Sequence, residues 1–330
     1  MQFQLARPNS RHKPLNDAIR LANKGFLELA IFGKFLADRR QLPLGLRQYG
    51  LYRTIHRFSL RETGRFPNLV ACADINDFAN WIKLFDQDPL IVQCSDKLAA
   101  RDYVAAKVGP DILTRIFQIH EHFSEIDFDA LPKSFVIKTN NDSGTVIIVP
   151  DKDTLDRTEA ERRVERALSN VYGAAHGEWA YAHITPKVFV EESLASADGV
   201  PPLDHRFFAA DGKVGFAVIS YGGRDPRERR AILVDTDGRD TGLNIGGGIQ
   251  FDDYPLPANW TEMIEVAEKL AADFKMVRVD LYSAGGGIRF GELTFWPNAG
   301  AMTGPDIVRV APLIDFDRTT FKPPYRPRQG

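Results

Sequence analysis

Four residues near the end of the chain have types and spacing that could do chemistry: Arg278, Asp280, Glu292 and Thr294. They lie in the segment FKMVRVDLYSAGGGIRFGELTFWPNAG. Val277, Val279 and Leu281 alternate with Arg278 and Asp280, and Leu293 and Phe295 alternate with Glu292 and Thr294. Period-two alternation is the signature of a strand with two different faces. Gly285, Gly286 and Gly287 interrupt it and supply the permissive backbone of a tight loop. A three-residue loop closed by Ala284 and Ile288 sets residue 280 opposite 292 and 278 opposite 294. Opposed Cβ atoms lie roughly 4.5–5.5 Å apart. Two carboxylates that close repel unless a proton or a cation stands between them. An oxygen-seeking divalent ion is one resident of such a place. A solvated polar face, with Arg278 neutralising the acids, is the other reading.

Three further motifs carry charge. In LPKSFVIKTNNDSGTVIIV, Lys138 ends an apolar strand and Asn140, Asn141, Asp142, Ser143 and Gly144 form a short polar loop. Small residues let backbone N–H groups approach phosphate oxygens, and a lysine adds a point charge. An ordinary hairpin turn has the same composition. In CSDKLAARDYVAAKVG, Lys97 and Arg101 stand near a helix start, which is either an anion site or simple capping. In KVFVEESL, Glu191 and Glu192 end a strand, where backbone amides could meet a base edge.

The elements that must position these residues alternate between helices and antiparallel pairs. Helices are expected over 76–85, 96–107, 154–170 and 259–274. Strands are expected over 89–94, 134–139, 145–149, 186–192, 205–210 and 214–220, with Asp211-Gly212 as a hairpin turn. That order argues for an α+β fold rather than a doubly wound parallel sheet. Residues 15–37 read as a helix with a broad apolar face containing Leu15, Ile19, Ala22, Phe26, Ala30 and Phe35, and with basic neighbours. Such a helix either packs on the rest of the protein or lies on an anionic membrane surface. Residues 1–14 read as a polar arm.

The chain has 330 residues and a net charge of −2. The charge is uneven, because residues 1–66 hold 13 Lys/Arg against 4 Asp/Glu. A basic N-terminal piece therefore precedes an acidic body, and an acidic body without a recognised motif argues against nucleic acid as a partner. Two cysteines make neither a disulfide framework nor a thiolate metal site. With no signal-peptide pattern and no apolar run of membrane-spanning length, a cytoplasmic location is expected, with peripheral contact at the inner face of the membrane as an extension.

Taken together, DKLAARDYVAAKVG, LPKSFVIKTNNDSG, GEWAYAHITPKVFVEESL, DHRFFAADGKVGF and VRVDLY…FGELTFWPNAG resemble the ATP-grasp superfamily, and more closely its TupA-like (teichuronopeptide biosynthesis) family, over roughly residues 74–310. The resemblance implies an ATP-grasp fold of two α+β subdomains clasping ATP, preceded by a helical region. The expected division is 1–73, 74–186 with the phosphate-covering lid, and 187–330 with the metal-binding hairpin. It implies that Lys97 and Lys138 hold the ATP phosphates and that Asn140–Gly144 fold over them. Glu191 would meet the adenine amine, Glu192 and Leu194 would line the base, and Asp204 would face the ribose. Asp280 and Glu292 would bind Mg²⁺, and Arg278 would stabilise the phosphoryl group in transfer. Thr294 stands where many ATP-grasp enzymes place an asparagine ligand, so Thr294 or Asn298 would complete the metal set. Arg206, after Asp204-His205, stands where the family has a basic residue after its Asp-aromatic pair, which implies a further contact with the nucleotide. The implied activity is an ATP-dependent carboxylate–amine ligase, ADP-forming through an acyl phosphate. It would join an amino acid to a uronic-acid-containing cell-surface polysaccharide or its precursor. A sugar kinase on the same fold and a non-catalytic nucleotide-binding protein are the alternatives.

Overall fold

A computed structural model describes residues 13–196, 200–221, 230–246 and 254–317, with side chains from residue 24 onward save Tyr221. The side chains of Leu15, Ile19 and Ala22 and most of the expected polar arm lie outside the described residues. Helix α1 (Lys13–Asp38) is followed by α2 (Tyr49–Thr63), α3 (Ile75–Phe85), α4 (Pro89–Ser95) and α5 (Ala100–Val108). Next come β1 (Ile116–His120), β2 (Phe135–Thr139), β3 (Val146–Val149), α6 (Arg157–Leu168) and β4 (Val188–Glu191). The chain continues through β5 (Asp204–Ala210), β6 (Lys213–Tyr221), β7 (Arg230–Val234), α7 (Trp260–Ala271), β8 (Met276–Ala284) and β9 (Gly287–Thr294).

The strands form two sheets, in the orders β1-β4-β2-β3 and β7-β6-β5-β8-β9, with every pair antiparallel. The first sheet has its own core, in which Phe135, Ile137, Val188 and Val190 pack with Ala160 and Val164 of α6. The second sheet lays Phe207 against Trp260 of α7, with ring centroids 5.1 Å apart. Its core is continuous with that of the N-terminal helices, from Ile31 and Phe35 through Ile82 to Val279 and Leu293.

Residues 89–94 are helical, not extended. Asp88 caps this helix by accepting from the Leu90 N–H at 2.8 Å, and Pro89 occupies the first turn. An Asp-Pro pair is a strong helix opening, and it outweighs the β-branched residues Ile91 and Val92.

The hairpin differs from expectation in detail but not in outcome. Its loop has two residues, Gly285 and Gly286, with φ of 62° and 78°, and Ala284 pairs with Gly287. That alone would shift the register by one. A bulge opposite Asp280 and Leu281 takes up the extra residue, so Asp280 still faces Glu292 and Arg278 still faces Thr294. Gly291 occupies the bulge, and a Cβ there would come within 2.9 Å of the Tyr282 ring and 3.0 Å of the Asp280 carbonyl. Glycine is what lets the two strands approach at this point.

Candidate functional site

The sheet face turned away from α7 carries the site. Arg206 pairs with Asp280, which pairs with Glu292, and in the next row Phe208 pairs with Arg278, which pairs with Thr294. Three strands thus bring five polar side chains onto one face. Arg278 forms a fork on Asp280, Nε to Oδ1 at 2.7 Å and one terminal nitrogen to Oδ2 at 2.6 Å. The same terminal nitrogen reaches Glu292 Oε1 at 3.0 Å. Thr294 donates its hydroxyl to that Glu292 oxygen at 3.0 Å. Arg206 pairs with Asp204 at 2.5 Å and stands 3.9 Å from Asp280.

The electrostatics of the two carboxylates diverge. Asp280 is buried, and desolvation pushes its pKa up to about 6 despite Arg278, with the Glu292 charge adding to the rise. Burial acts on Glu292 in the same sense, but Arg278, Lys97, the Thr294 hydrogen bond and Lys138 together hold its pKa below the usual value. Burial works against the Arg278 charge as well, yet the attraction and hydrogen bonds of Asp280, reinforced by Glu292, raise its pKa.

The facing carboxylates bear on Mg²⁺. Among the described residues no group of three or more His, Cys, Asp and Glu side chains could hold a metal ion. What the hairpin offers is two hard carboxylate donors in facing register, with neutral oxygens nearby. This donor set suits a cation that keeps several waters. The residues fit the ion, and Asp280 and Glu292 would hold it. A proton on Asp280 competes with metal. Below pH 6 the apparent Mg²⁺ affinity should therefore fall about tenfold per pH unit, and above pH 7 it should be flat. Titration calorimetry across pH 5–8 checks this, and a flat profile throughout would remove Asp280 from the ligand set.

The cations come from the other side of the cleft. Lys97 follows α4, shares a small cleft with Tyr181, Gly291 and Glu292, and donates its ammonium to the Asp142 carbonyl. Burial lowers its pKa, with Glu292 opposing. Lys138, at the end of β2, forms an ion pair with Glu191 on the neighbouring strand β4. Glu191 is buried and also accepts from the Thr114 hydroxyl at 2.7 Å. Lys97 and Lys138 are both near enough to Glu292 to draw its pKa down.

The loop after Lys138 is tightly bound at its base. Asn140 donates to Asp96 Oδ1 at 2.9 Å and to the Thr185 carbonyl at 3.1 Å, and its Oδ1 accepts from the Lys187 N–H at 2.6 Å. Asp142 accepts from Thr139 and Thr145 hydroxyls, each at 2.6 Å. Ser143 is exposed, and Gly144 has φ of 128°. The buried residues 140–142 anchor the loop, and the exposed Ser143 at its tip is hydrogen-bonded with Tyr172. Glu192 accepts from the Arg115 N–H at 2.8 Å, and Leu194 lies half-buried just beyond β4.

Asn298 lines a second cleft with Arg206, Phe208, Arg278 and Asn244. It opens three consecutive residues with left-handed backbone: Asn298 at φ 48°, Ala299 at 52° and Gly300 at 67°. Non-glycine residues pay about 1–2 kcal/mol each for that conformation. Helix α3 holds the turn in place. Lys83 donates to the Ala299 carbonyl at 2.6 Å and the His176 carbonyl at 2.9 Å, and Asn80 donates to the Gly300 carbonyl at 2.8 Å. Asn76 exchanges two 2.8 Å hydrogen bonds with the Met302 backbone. Sequence reasoning missed these three residues. Their signal was a polar line at i, i+4 and i+7 on a helix, INDFANWIKLF, whose only other polar residue is Asp77. Asn80→Ala should cost about 1–3 kcal/mol, because it strips the buried Gly300 carbonyl of its partner. Denaturant unfolding measures this, and a variant as stable as the parent would show that the clamp is idle.

Lys138 from the first sheet, Lys97 beside α4 and the hairpin of the second sheet thus meet electrostatically at Glu292. The sequence model of the TupA-like ATP-grasp family matches residues 78–307, and the chain belongs to that family. No curated protein matches the sequence. Among solved structures, a D-alanine–D-alanine ligase from Bacillus anthracis complexed with ATP is similar at 18% identity and a TM-score of 0.35, covering 61% of this chain and 53% of its own. An L-amino acid ligase from Bacillus licheniformis is similar at 16% identity and a TM-score of 0.38, covering 63% of this chain and 44% of its own. The ATP-grasp ligase PsnB, complexed with a minimal precursor, is similar at 13% identity and a TM-score of 0.35, covering 63% of this chain and 53% of its own. The chain spans about half the length of these structures and superposes on them weakly, so its family membership rests on the sequence match.

Proposed function

We propose that the protein is an ATP-dependent carboxylate–amine ligase. The observation that carries this reading is the facing register of Asp280 and Glu292, with Arg278 forked between them and Lys97 and Lys138 across the cleft. Five cationic or cation-seeking groups converge where a polyphosphate would lie. A carboxylate oxygen of the acceptor attacks the γ-phosphorus, and ADP leaves with the bridging electron pair. The resulting acyl phosphate is attacked at its carbonyl carbon by an amine, which loses a proton as inorganic phosphate departs and the amide forms. Phosphoryl transfer of this kind asks the protein for in-line positioning and charge neutralisation more than for covalent help.

Each residue then has a part. Lys97 and Lys138 hold phosphate oxygens, with Lys138 passing from Glu191 to the nucleotide, and the anchored loop Asn140–Gly144 lies beside them with Ser143 at its tip. Glu191 turns to the adenine amine, Glu192 and Leu194 flank the base, and Asp204 takes the ribose. Arg278 meets the transferring phosphoryl group, and Arg206 and Asn298 face the acceptor. Mg²⁺, held by Asp280 and Glu292 with Thr294 nearby, supplies charge neutralisation when bound. The acceptor class that suits the basic N-terminal region is polyanionic, a uronic-acid-containing polysaccharide or its membrane-bound precursor, and the amine is an amino acid.

The test is a matrix of uronic acids against amino acids, scored for ADP release. Turnover that requires both partners, with an amide product by mass spectrometry, supports the ligase. A phosphorylated sugar without amide would replace it with a kinase. Nucleotide binding that survives Asp280→Asn with Glu292→Gln, with no turnover by the parent protein, would replace it with a non-catalytic binder.

A further inference from the structure

Helix α1 has two apolar faces, and the fold uses one of them. Ile31 and Phe35 are fully buried, and Leu27 packs beside them. The only charged side chains between Gly25 and Ala37 are spent within the protein. Glu28 pairs with Arg53 and, at 3.0 Å, with Arg57 of α2, and Lys34 pairs with Asp38 at 3.0 Å. The outward face carries Phe26, Leu29, Phe32 and Leu36, exposed by 66%, 70%, 41% and 44%. At the helical rotation per residue these four fall within an arc of about 120°. Gly25 and Gly33 lie on the same face, and a Cβ at either would meet nothing. Leu46, 66% exposed, follows just past the helix end. The result is an uncharged ridge about three turns long, with exposed Arg39, Arg40 and Arg47 beyond its C-terminal end.

We propose that this ridge seats the protein on an anionic lipid surface, with α1 lying in the interface plane. The helix is held by its other face, and of the four only Phe32 leans on the fold, edge-on to Tyr49 with ring centroids 5.4 Å apart. Charge selects the occupant. A second copy docked on the ridge would bring the arginines towards another set of arginines if the helices ran parallel, or towards the exposed Lys24 if they ran antiparallel. A bilayer bearing anionic headgroups accepts the ridge into its acyl boundary and the arginines at its surface. No helix among the described residues is long and apolar enough to cross a membrane, so α1 lies on the surface rather than through it.

The test is flotation of the full chain with phosphatidylcholine vesicles containing phosphatidylglycerol, against pure phosphatidylcholine vesicles. Flotation is expected with the anionic vesicles and should weaken as salt rises. Leu29→Glu combined with Leu36→Glu should lower partitioning at least tenfold, roughly the effect of withdrawing one buried leucine from an apolar phase. Arg39→Ser combined with Arg40→Ser should lower it about thirtyfold on anionic vesicles only. Both double variants change exposed side chains, so circular dichroism and the thermal midpoint should match the parent. Absence of flotation, flotation indifferent to both variants, or a concentration-dependent dimer that the glutamates dissolve would overturn the proposal.

Discussion

Arg278→Ala should be the most destabilising single change in the site, lowering stability by about 3 kcal/mol at neutral pH. The guanidinium is 13% exposed and satisfies Asp280 and Glu292, whose side chains are 7% and 34% exposed. Removing one partner of a buried ion pair strands the other, which typically costs about 3–5 kcal/mol. The partial exposure of Glu292 places the effect at the low end. Asp280 would retain only Arg206, at 3.9 Å. Two observations separate this cause from a simple loss of packing. The first is pH. Asp280 has a folded pKa of about 6, above the unfolded carboxylate value, so the folded state takes up its proton first. Its contribution to stability is full below the unfolded pKa and is lost as pH rises through the folded one. Without Arg278 that folded pKa rises further, so the deficit should shrink markedly on going from pH 7 to pH 5. The second is metal. Millimolar Mg²⁺ should raise the thermal midpoint of Arg278→Ala more than that of the parent, and the gain should vanish when Asp280→Asn is added. Equal midpoints for variant and parent in metal-free buffer would overturn the account.

The legibility of this site follows from how local its determinants are. The hairpin was readable because alternation fixes which side chains share a face, and a buried face tolerates no slip of one residue. The loop was read one residue too long, yet the pairing of Asp280 with Glu292 survived because the Gly291 bulge restores what the shorter loop removes. Glycine 291 looked like one more glycine in a glycine-rich stretch. Its meaning lies in the approach of Tyr282 and the Asp280 backbone, which sequence spacing does not display. Residues 89–94 carry a strand-like composition because six residues are too few for periodicity to separate a strand from a helix turn, and the Asp88-Pro89 cap decides for the helix. The α3 clamp was opaque for a different reason. Asn76 and Asn80 meet partners more than two hundred residues away, and nothing local announces a carbonyl at that distance. The ion pair of Lys138 with Glu191 joins neighbouring strands whose order in the sheet runs β1-β4-β2-β3, an arrangement that motif order alone leaves open.

Glu292→Gln should have the largest effect on turnover, lowering kcat about 10²–10³-fold. The proposed ligase reaction rests on charge placed before the reaction begins, and removing one such group from a water-poor site usually costs that much. Glu292 is the convergence point of the cleft. It accepts from Arg278 and Thr294, each at 3.0 Å, and it is the acid that Lys97 and Lys138 both act upon. A glutamine keeps the size and one acceptor oxygen, so the fold should persist, but it withdraws the charge that balances three cations. The lysines would then repel one another and Arg278 more strongly. Nucleotide affinity in the absence of Mg²⁺ should change little or even rise, since an anion is better received by an uncompensated cationic cluster. Nucleotide affinity with Mg²⁺ should fall, because one of two carboxylate ligands is gone. That opposite response separates a metal ligand from a residue that merely shapes the pocket, for which both affinities would move together. Isothermal titration with a non-hydrolysable ATP analogue, with and without Mg²⁺, reads the sign directly. Should the two affinities fall in parallel, Glu292 would be a scaffold for Arg278 and Thr294 and the metal would have to be sought elsewhere on the hairpin.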